Sequence, residues 1–317
     1  PTGRNVGRVI NDDAVTEKYL MHLLSSVETP LKGLKIVVDC ANGASSYVAP
    51  EVYRRAGAEV IAIFNQPDGW NINDDCGSTH LHQLRTAVLR EGADLGIAHD
   101  GDADRCFVVD EKGDAVSPSS VAAIVSRREI DRVKKLGETQ ITVLHNLLTS
   151  KFVSEEIERS GAKAVRTRVG HSLIKDKMAE TGAVFGGEHS AHYYFRDFWG
   201  ADNGMLAAMH VLNELGSQSK SMSELAKETT PYFASGEINS TVLDRDSALA
   251  RVREVLAAAS EEAFDGTTFF GGQGEFWWWC NIRPSNTEPL LRLNVESNHE
   301  ALMVEIRDKA IKAIRNS

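Results

Sequence analysis

The 317-residue chain contains no apolar run near the roughly 20 residues that a membrane-crossing helix needs, so no membrane span is expected. Cysteine is scarce. Cys40, Cys76, Cys106 and Cys280 lie far apart and form no CxxC pair, which removes the zinc ribbon and the disulfide framework and suits reduced thiols in a cytoplasmic protein. An excess of positive charge is missing too. Lys plus Arg number 35 against 45 Asp plus Glu, a net charge of -10, so broad nucleic-acid binding is not expected, while local basic pockets for small anions stay open. The opening stretch PTGRNVGRVINDD has neither the apolar core of a signal peptide nor a Met, and the expectation is a chain cut from a longer one. Low-complexity segments are absent as well.

What is present is ordinary folding material. Hydrophobic residues make up 42% and charged residues 25%, the composition of globular domains, and the length exceeds one usual core, so about two or three domains are expected. From residue 12 to about 115, helical spacing in DDAVTEKYLMHLL, YVAPEVYRR and STHLHQLRTAVLRE alternates with the short apolar runs LKIVVDC, AEVIAIFN and ADLGIAHD. Helix-and-strand units joined by short turns predict a parallel sheet with helices on its faces. A second set of such units fills about 116–232, stopping at Pro231. The remainder, 233–317, reads as strand (GEINSTVL), a long helix through SALARVREVLAAASEEAF, strands FWWWCNI and LLRLNVES, and a closing helix. The fold class expected is α/β: two parallel-sheet α/β domains followed by a small α+β domain with an antiparallel sheet. Residues 1–11 stand outside all three.

Four segments carry chemistry. In HDGDADRC, Asp100, Asp102 and Asp104 alternate; in an extended segment they project to one side. At about 5 Å and an effective dielectric near 20, each neighbouring pair of carboxylates repels by roughly 3 kcal/mol. A divalent cation with oxygen ligands offsets that cost. An EF-hand loop competes for the stretch, but Arg105 stands where that loop needs Gly. Arg105 follows the last aspartate and so reaches the same site, with a phosphate as its natural partner. In GGEHSAHYYFRD, Glu188, Ser190 and His192 offer a carboxylate, a hydroxyl and an imidazole suited to sugar hydroxyls, although such residues are also ordinary on a surface strand. In RTRVGHSLIKDKM, Arg166, Arg168, His171 and Lys175 surround Gly170, which reads equally as an anion site at a helix start or as a capped helix with a solvated basic face. His171 is able to shuttle protons. In RPSNTEP, Arg283, Ser285, Asn286 and Thr287 offer donors in a loop stiffened by Pro284 and Pro289; phosphate cradle and plain polar turn both fit.

In this order the four segments resemble the α-D-phosphohexomutase family. DGDADR is similar to its metal loop, GEHSAH to its sugar loop and RPSNTEP to its phosphate loop, and the likeness runs over essentially the whole chain. The resemblance implies four domains, of which residues 1–11 are the tail of the first. It also implies phosphoryl transfer between the 1- and 6-positions of a hexose phosphate, through a hexose bisphosphate and a phosphoserine. On that reading Asp100, Asp102 and Asp104 hold Mg²⁺, Arg105 stabilises the transferring charge, and His171 stands where an acid/base is proposed. Glu188, Ser190 and His192 meet the sugar, and Arg283, Ser285, Asn286 and Thr287 fix the distal phosphate. No nucleic-acid or membrane partner is implied.

The family's Ser-His-Asn-Pro type of loop occurs nowhere in the sequence, so this chain alone is expected to be inactive as a mutase. LHNLLTS also lacks a basic residue that some relatives carry there. PDGWNINDDCGSTH is similar to phosphoglucosamine mutases, whereas GGEHSAHYYFRDFWGADNG and RPSNTEPLLRLNVE are similar to phosphomannomutases and phosphoglucomutases. Sugar contacts come mainly from the later domains, so the expectation leans to the phosphomannomutase type. Phosphoglucosamine mutase and a non-catalytic sugar-phosphate or metal-binding protein are the alternatives.

Overall fold

A computed structural model describes residues 7–8, 10–12, 14–256, 260–285 and 288–315. Through residue 116 the order is α1 (Ala14–Leu24), β1 (Lys35–Asp39), α2 (Ser45–Arg55), β2 (Glu59–Ile63), α3 (His82–Glu91), β3 (Leu95–Ala98), β4 (Phe107–Asp110) and β5 (Ala115–Val116). Next come α4 (Pro118–Lys135), β6 (Thr142–Asn146), α5 (Lys151–Arg159), β7 (Lys163–Thr167), α6 (His171–Thr181), β8 (Phe185–Gly187), β9 (Tyr193–Phe195), β10 (Ala201–Asp202), α7 (Gly204–Gly216) and α8 (Met222–Thr229). The chain closes with β11 (Phe233–Ala234), β12 (Ile238–Thr241), α9 (Arg245–Val255), β13 (Ser260–Ala263), β14 (Thr267–Gln273), β15 (Phe276–Pro284), β16 (Leu290–Ser297) and α10 (Glu300–Arg315). Two compact units result, one of Pro1–Asp114 with Met205–Ser219, the other of Ala115–Gly204 with Lys220–Ser317.

In the first unit, β2, β1 and β3 run parallel, as the repeated helix-and-strand pattern requires. β4 then runs antiparallel to β3, because residues 99–106 are too few for a parallel crossover, which takes about a dozen or more. That constraint makes the aspartate segment a turn at the end of β3. Its apolar core gathers Val37, Leu84, Val88, Ala98 and Val109, the inward residues of both strand and helix periods. α7 is apolar on nearly every side, and Asn213 on it accepts from the Glu28 amide at 3.1 Å and donates to the Ser26 carbonyl at 2.8 Å.

The second unit holds two sheets. One has the order β10-β9-β8-β6-β7, parallel at β7-β6-β8 and antiparallel where β9 folds back on β8. α4 begins on Ser117, whose hydroxyl accepts from the Ser119 amide, with Pro118 in the first turn, the arrangement that satisfies an orphan donor and pre-sets the helical φ. The other sheet, β11-β16-β15-β14-β13 with β12 on β16, is antiparallel throughout. One of its faces supplies Cys280, Ile282, Leu291, Leu293 and Val295 to a core shared with Ala248, Val252, Ile306 and Ala310 of α9 and α10. The opposite face carries the ladder pairs Trp279–Glu296, Asn281–Asn294 and Arg283–Arg292. The long helix expected through Phe264 is corrected here. α9 ends at Val255, and Ser260–Ala263 instead forms an edge strand on β14, a pairing that overrides the helical propensity of the run.

Candidate active site

In the first unit the aspartate loop is held by backbone contacts rather than by strand pleating. Ala103 takes φ 66, so Asp100, Asp102 and Asp104 do not alternate along an extended segment; the loop bends instead and brings one carboxylate oxygen of each within 4.8 Å of the others. Gly101 is fixed by the turn after β1, where the Ala44 amide donates to its carbonyl at 2.8 Å. A Cβ on Gly43 would lie 2.3 Å from that same carbonyl oxygen, so this close approach requires glycine. Behind the loop, buried His99 joins the Arg105 carbonyl through Nδ1 at 2.9 Å and the Tyr53 hydroxyl through Nε2 at 3.1 Å. Burial holds its pKa below the usual range, so the ring is neutral; it donates at Nδ1 and accepts from Tyr53. Burial works to raise the Asp100 carboxyl, but the hydrogen bonds and charge of Arg105 outweigh it and hold the group below its ordinary value. Arg105 is thereby paired through Nε to Asp100. Three clustered carboxylates form an all-oxygen donor set that fits Mg²⁺.

In the second unit the hairpin between β8 and β9 presents Glu188, Ser190 and His192. Glu188 is 2% exposed and held from three sides: the Tyr194 hydroxyl donates to it at 2.8 Å, the Asn146 amide at 3.3 Å and the Gly170 N–H at 3.4 Å. Gly170 reaches that position at φ 141, which L side chains rarely adopt. Ser190 Oγ lies 2.8 Å from His192 Nδ1. Beside them His171 opens α6, with Nδ1 2.9 Å from Asp202 Oδ2. Lys175 Nζ lies 3.0 Å from Asp202 Oδ1 and 2.9 Å from His171 Nε2. A carboxylate therefore orients an imidazole whose other nitrogen faces an ammonium, an arrangement that can hold and move a proton. Arg166 plays no part in it, being bonded to Glu262, and the basic cluster read around Gly170 shrinks accordingly.

The segment expected to cradle phosphate joins β15 to β16. Arg283 and Arg292 oppose each other in the ladder and share one carboxylate, Glu237, at 2.9 and 3.1 Å. Arg292 also points to Ser285 Oγ at 3.4 Å, and Arg245 donates to the Ser285 and Glu288 carbonyls at 3.4 and 2.7 Å. The Nε atoms of Arg283 and Arg292 are buried and make no hydrogen bond among the described residues. Asn286 and Thr287 lie outside the described residues. Sequence reasoning passed over Arg292, although period-two alternation in LLRLNVES puts it on the face of its ladder partner Arg283. It also passed over Glu237, Asp202 and Tyr194, whose roles depend on pairings distant in sequence.

Comparison with known proteins follows the same segments. Residues 17–113 match the family profile of phosphoglucomutase/phosphomannomutase α/β/α domain II, residues 117–233 that of domain III, and residues 237–313 that of the C-terminal domain. Phosphoglucosamine mutase of Carboxydothermus hydrogenoformans is 37% identical over 99% of this chain and 68% of its own length. That of Pelotomaculum thermopropionicum is 39% identical, also over 99% and 68%. The fold recurs in a phosphoglucomutase/phosphomannomutase family protein of Burkholderia thailandensis, with TM-score 0.80, 24% identity, and 96% of this chain and 65% of that one covered. It recurs too in Aspergillus fumigatus N-acetylphosphoglucosamine mutase in complex with GlcNAc-6P and magnesium, with TM-score 0.69, 15% identity and coverage of 95% and 70%. The chain thus spans about two thirds of the length of these relatives. Three consecutive family domains are matched along the chain, and the chain belongs to the phosphoglucomutase/phosphomannomutase family, the α-D-phosphohexomutases.

Proposed function

We propose that this chain supplies the metal, sugar and phosphate loops of a phosphoglucosamine mutase, a phosphohexomutase that moves phosphate between the 1- and 6-positions of a hexosamine phosphate through its bisphosphate. The substrate class is the one borne by curated relatives 36 to 39% identical to it, and PDGWNINDDCGSTH points the same way. The observation that carries the proposal is the arginine pair. Two guanidinium groups placed opposite each other in a ladder repel, and Glu237 offers them one negative charge between two; a phosphate dianion supplies the rest through charge-assisted hydrogen bonds. Ser285 extends that cradle; Asn286 and Thr287 join it only on the strength of the family resemblance. Glu188, Ser190 and His192 receive sugar hydroxyls, and His171, oriented by Asp202, exchanges a proton with the hydroxyl that gains or loses phosphate.

Asp100, Asp102 and Asp104 are the residues that would hold Mg²⁺, which when bound neutralises charge on a phosphoester oxygen. Arg105, kept beside them by Asp100, stabilises the transferring group. The setting proposed is intracellular, in keeping with four free, buried cysteines, and the working domains are those of residues 12–115, 116–232 and 233–317. Because no Ser-His-Asn-Pro type of loop is encoded in these residues, the chain alone is expected to bind but not to turn over.

Calorimetric titration of the purified chain in Mg²⁺ tests this reading. Glucosamine 6-phosphate is expected to bind about tenfold tighter than mannose 6-phosphate or glucose 6-phosphate, one good hydrogen bond of discrimination, with no release of the 1-phosphate isomer. Tighter binding of mannose 6-phosphate would instead support the phosphomannomutase type. Failure of all three to bind would remove the sugar-phosphate reading.

A further inference from the structure

Glu296 is a buried carboxyl, 2% exposed, that no step of the proposed chemistry uses. It sits on the polar face of the C-terminal sheet, four residues along β16 from Arg292 and therefore about 13 Å away at strand rise. Its Oε2 accepts from Trp279 Nε1 at 2.8 Å, within the sheet, and from the backbone N–H of Lys151 at 2.9 Å, the first residue of α5. That second bond joins the sheet that carries Arg283 and Arg292 to the turn between β6 and α5.

The same turn holds the sugar loop. Asn146 Oδ1 accepts from the amides of Leu148 and Thr149 at 3.1 Å and from that of His189 at 3.4 Å, while Asn146 Nδ2 donates to Glu188. Ser150, the residue before Lys151, donates its N–H to Ser119 Oγ at 3.0 Å, and Ser119 Oγ in turn lies 3.2 Å from His189 Nδ1. One short turn thus makes hydrogen bonds to Glu296 at one end and to Glu188 and His189 at the other. Beside Glu296 lies a cavity of about 270 Å³ whose lining includes Ser119, Ser150, His189, Trp279 and Asn294, so the polar link borders open space. Burial pushes the Glu296 carboxyl up, against the hydrogen bonds from Lys151, Ser150 and Trp279, so the site is maintained at an electrostatic cost.

We propose that Glu296 is a positioning residue: through the β6–α5 turn it sets the spacing between the arginine pair and the sugar loop, and so makes the two ends of one hexose phosphate fit at once. This rests on the sugar-phosphate reading above. A ligand touching only the arginines is indifferent to that spacing, whereas a ligand touching both ends is not.

Two measurements on the 317-residue chain decide it. In calorimetry, E296A is expected to weaken glucosamine 6-phosphate about tenfold, the loss of one hydrogen bond to a charged group, while the affinity for inorganic phosphate stays within about twofold. E296Q keeps an acceptor oxygen for Lys151 and Trp279 and is expected to restore wild-type affinity. In hydrogen exchange on the ligand-free chain, E296A is expected to speed exchange of the Lys151 amide and the 188–192 loop while leaving the β15–β16 ladder protected, and E296Q is not. Equal loss for both ligands, or unchanged affinity for glucosamine 6-phosphate, overturns the proposal. If the wild-type chain binds inorganic phosphate but no hexose phosphate, the sugar-phosphate reading fails, and the exchange data still decide whether Glu296 couples the two segments.

Discussion

Asp39 and Asp100 show how neighbouring buried carboxylates are given different characters by their partners. Asp39 has two backbone donors, Ala41 at 2.8 Å and Gly77 at 2.9 Å, and burial prevails, raising its pKa. Asp100 has a full positive charge on Arg105, which prevails over burial and lowers it. The acceptor of neutral amides braces the turns, while the carboxylate beside Arg105 is held ionised by that pairing. His145 makes the corresponding prediction for stability. Burial drives it down to about 4 from about 6.5 in an unfolded chain. Its folded pKa is depressed, so the neutral ring's contribution is present above about pH 6.5 and is lost as pH falls towards 4, amounting to about 3 kcal/mol. Melting temperature followed from pH 7 to 4.5 is expected to fall more steeply for the wild type than for H145Q; parallel curves would contradict this.

At the scale of elements, the three candidate loops each lie at strand ends. The loop after β3, the β8–β9 hairpin and the β15–β16 hairpin each place polar residues where a sheet stops, and each is legible because a short connection between apolar runs leaves few conformations. The strands of the first unit and FWWWCNI show as short continuous apolar runs, LLRLNVES as period-two alternation, and the first unit's helices as helical spacing. What was illegible has equally physical causes. The aspartate cluster depends on a left-handed residue at Ala103 and on Gly43 pressing against Gly101, neither of which leaves a periodic signal. The strand Ser260–Ala263 exists because β14 offers an edge, and β14 itself, TTFFGGQ, is short of the alternation that marks a half-buried strand. G43A tests the element view: its Cβ must displace the metal loop, a strain of roughly 1–3 kcal/mol in chemical denaturation, and Mg²⁺ affinity is expected to fall with it. Normal stability with unchanged Mg²⁺ binding would show that the contact does not set the loop.

At the scale of the whole molecule, the three candidate loops fall within three consecutive family domains, and none of them alone is specific. A triad of aspartates, a hydrogen-bonded glutamate and a pair of arginines are each common; their order along one chain is what links them to sugar-phosphate chemistry. No helix among the described residues is long and apolar enough to cross a membrane, and the acidic overall charge contrasts with the local positive charge gathered at Arg245, Arg283 and Arg292. On the proposed function, capture of a small anion by this acidic chain needs such a concentrated cationic site, since the general field repels the ligand.

The most direct test is a crystal of the 317-residue chain grown with Mg²⁺ and glucosamine 6-phosphate. The expected density is a cation coordinated by oxygens of Asp100, Asp102 and Asp104, a phosphate between Arg283 and Arg292, and sugar hydroxyls on Glu188. Aspartates without a cation at saturating Mg²⁺, or a sugar phosphate bound away from the arginine pair, would contradict the account.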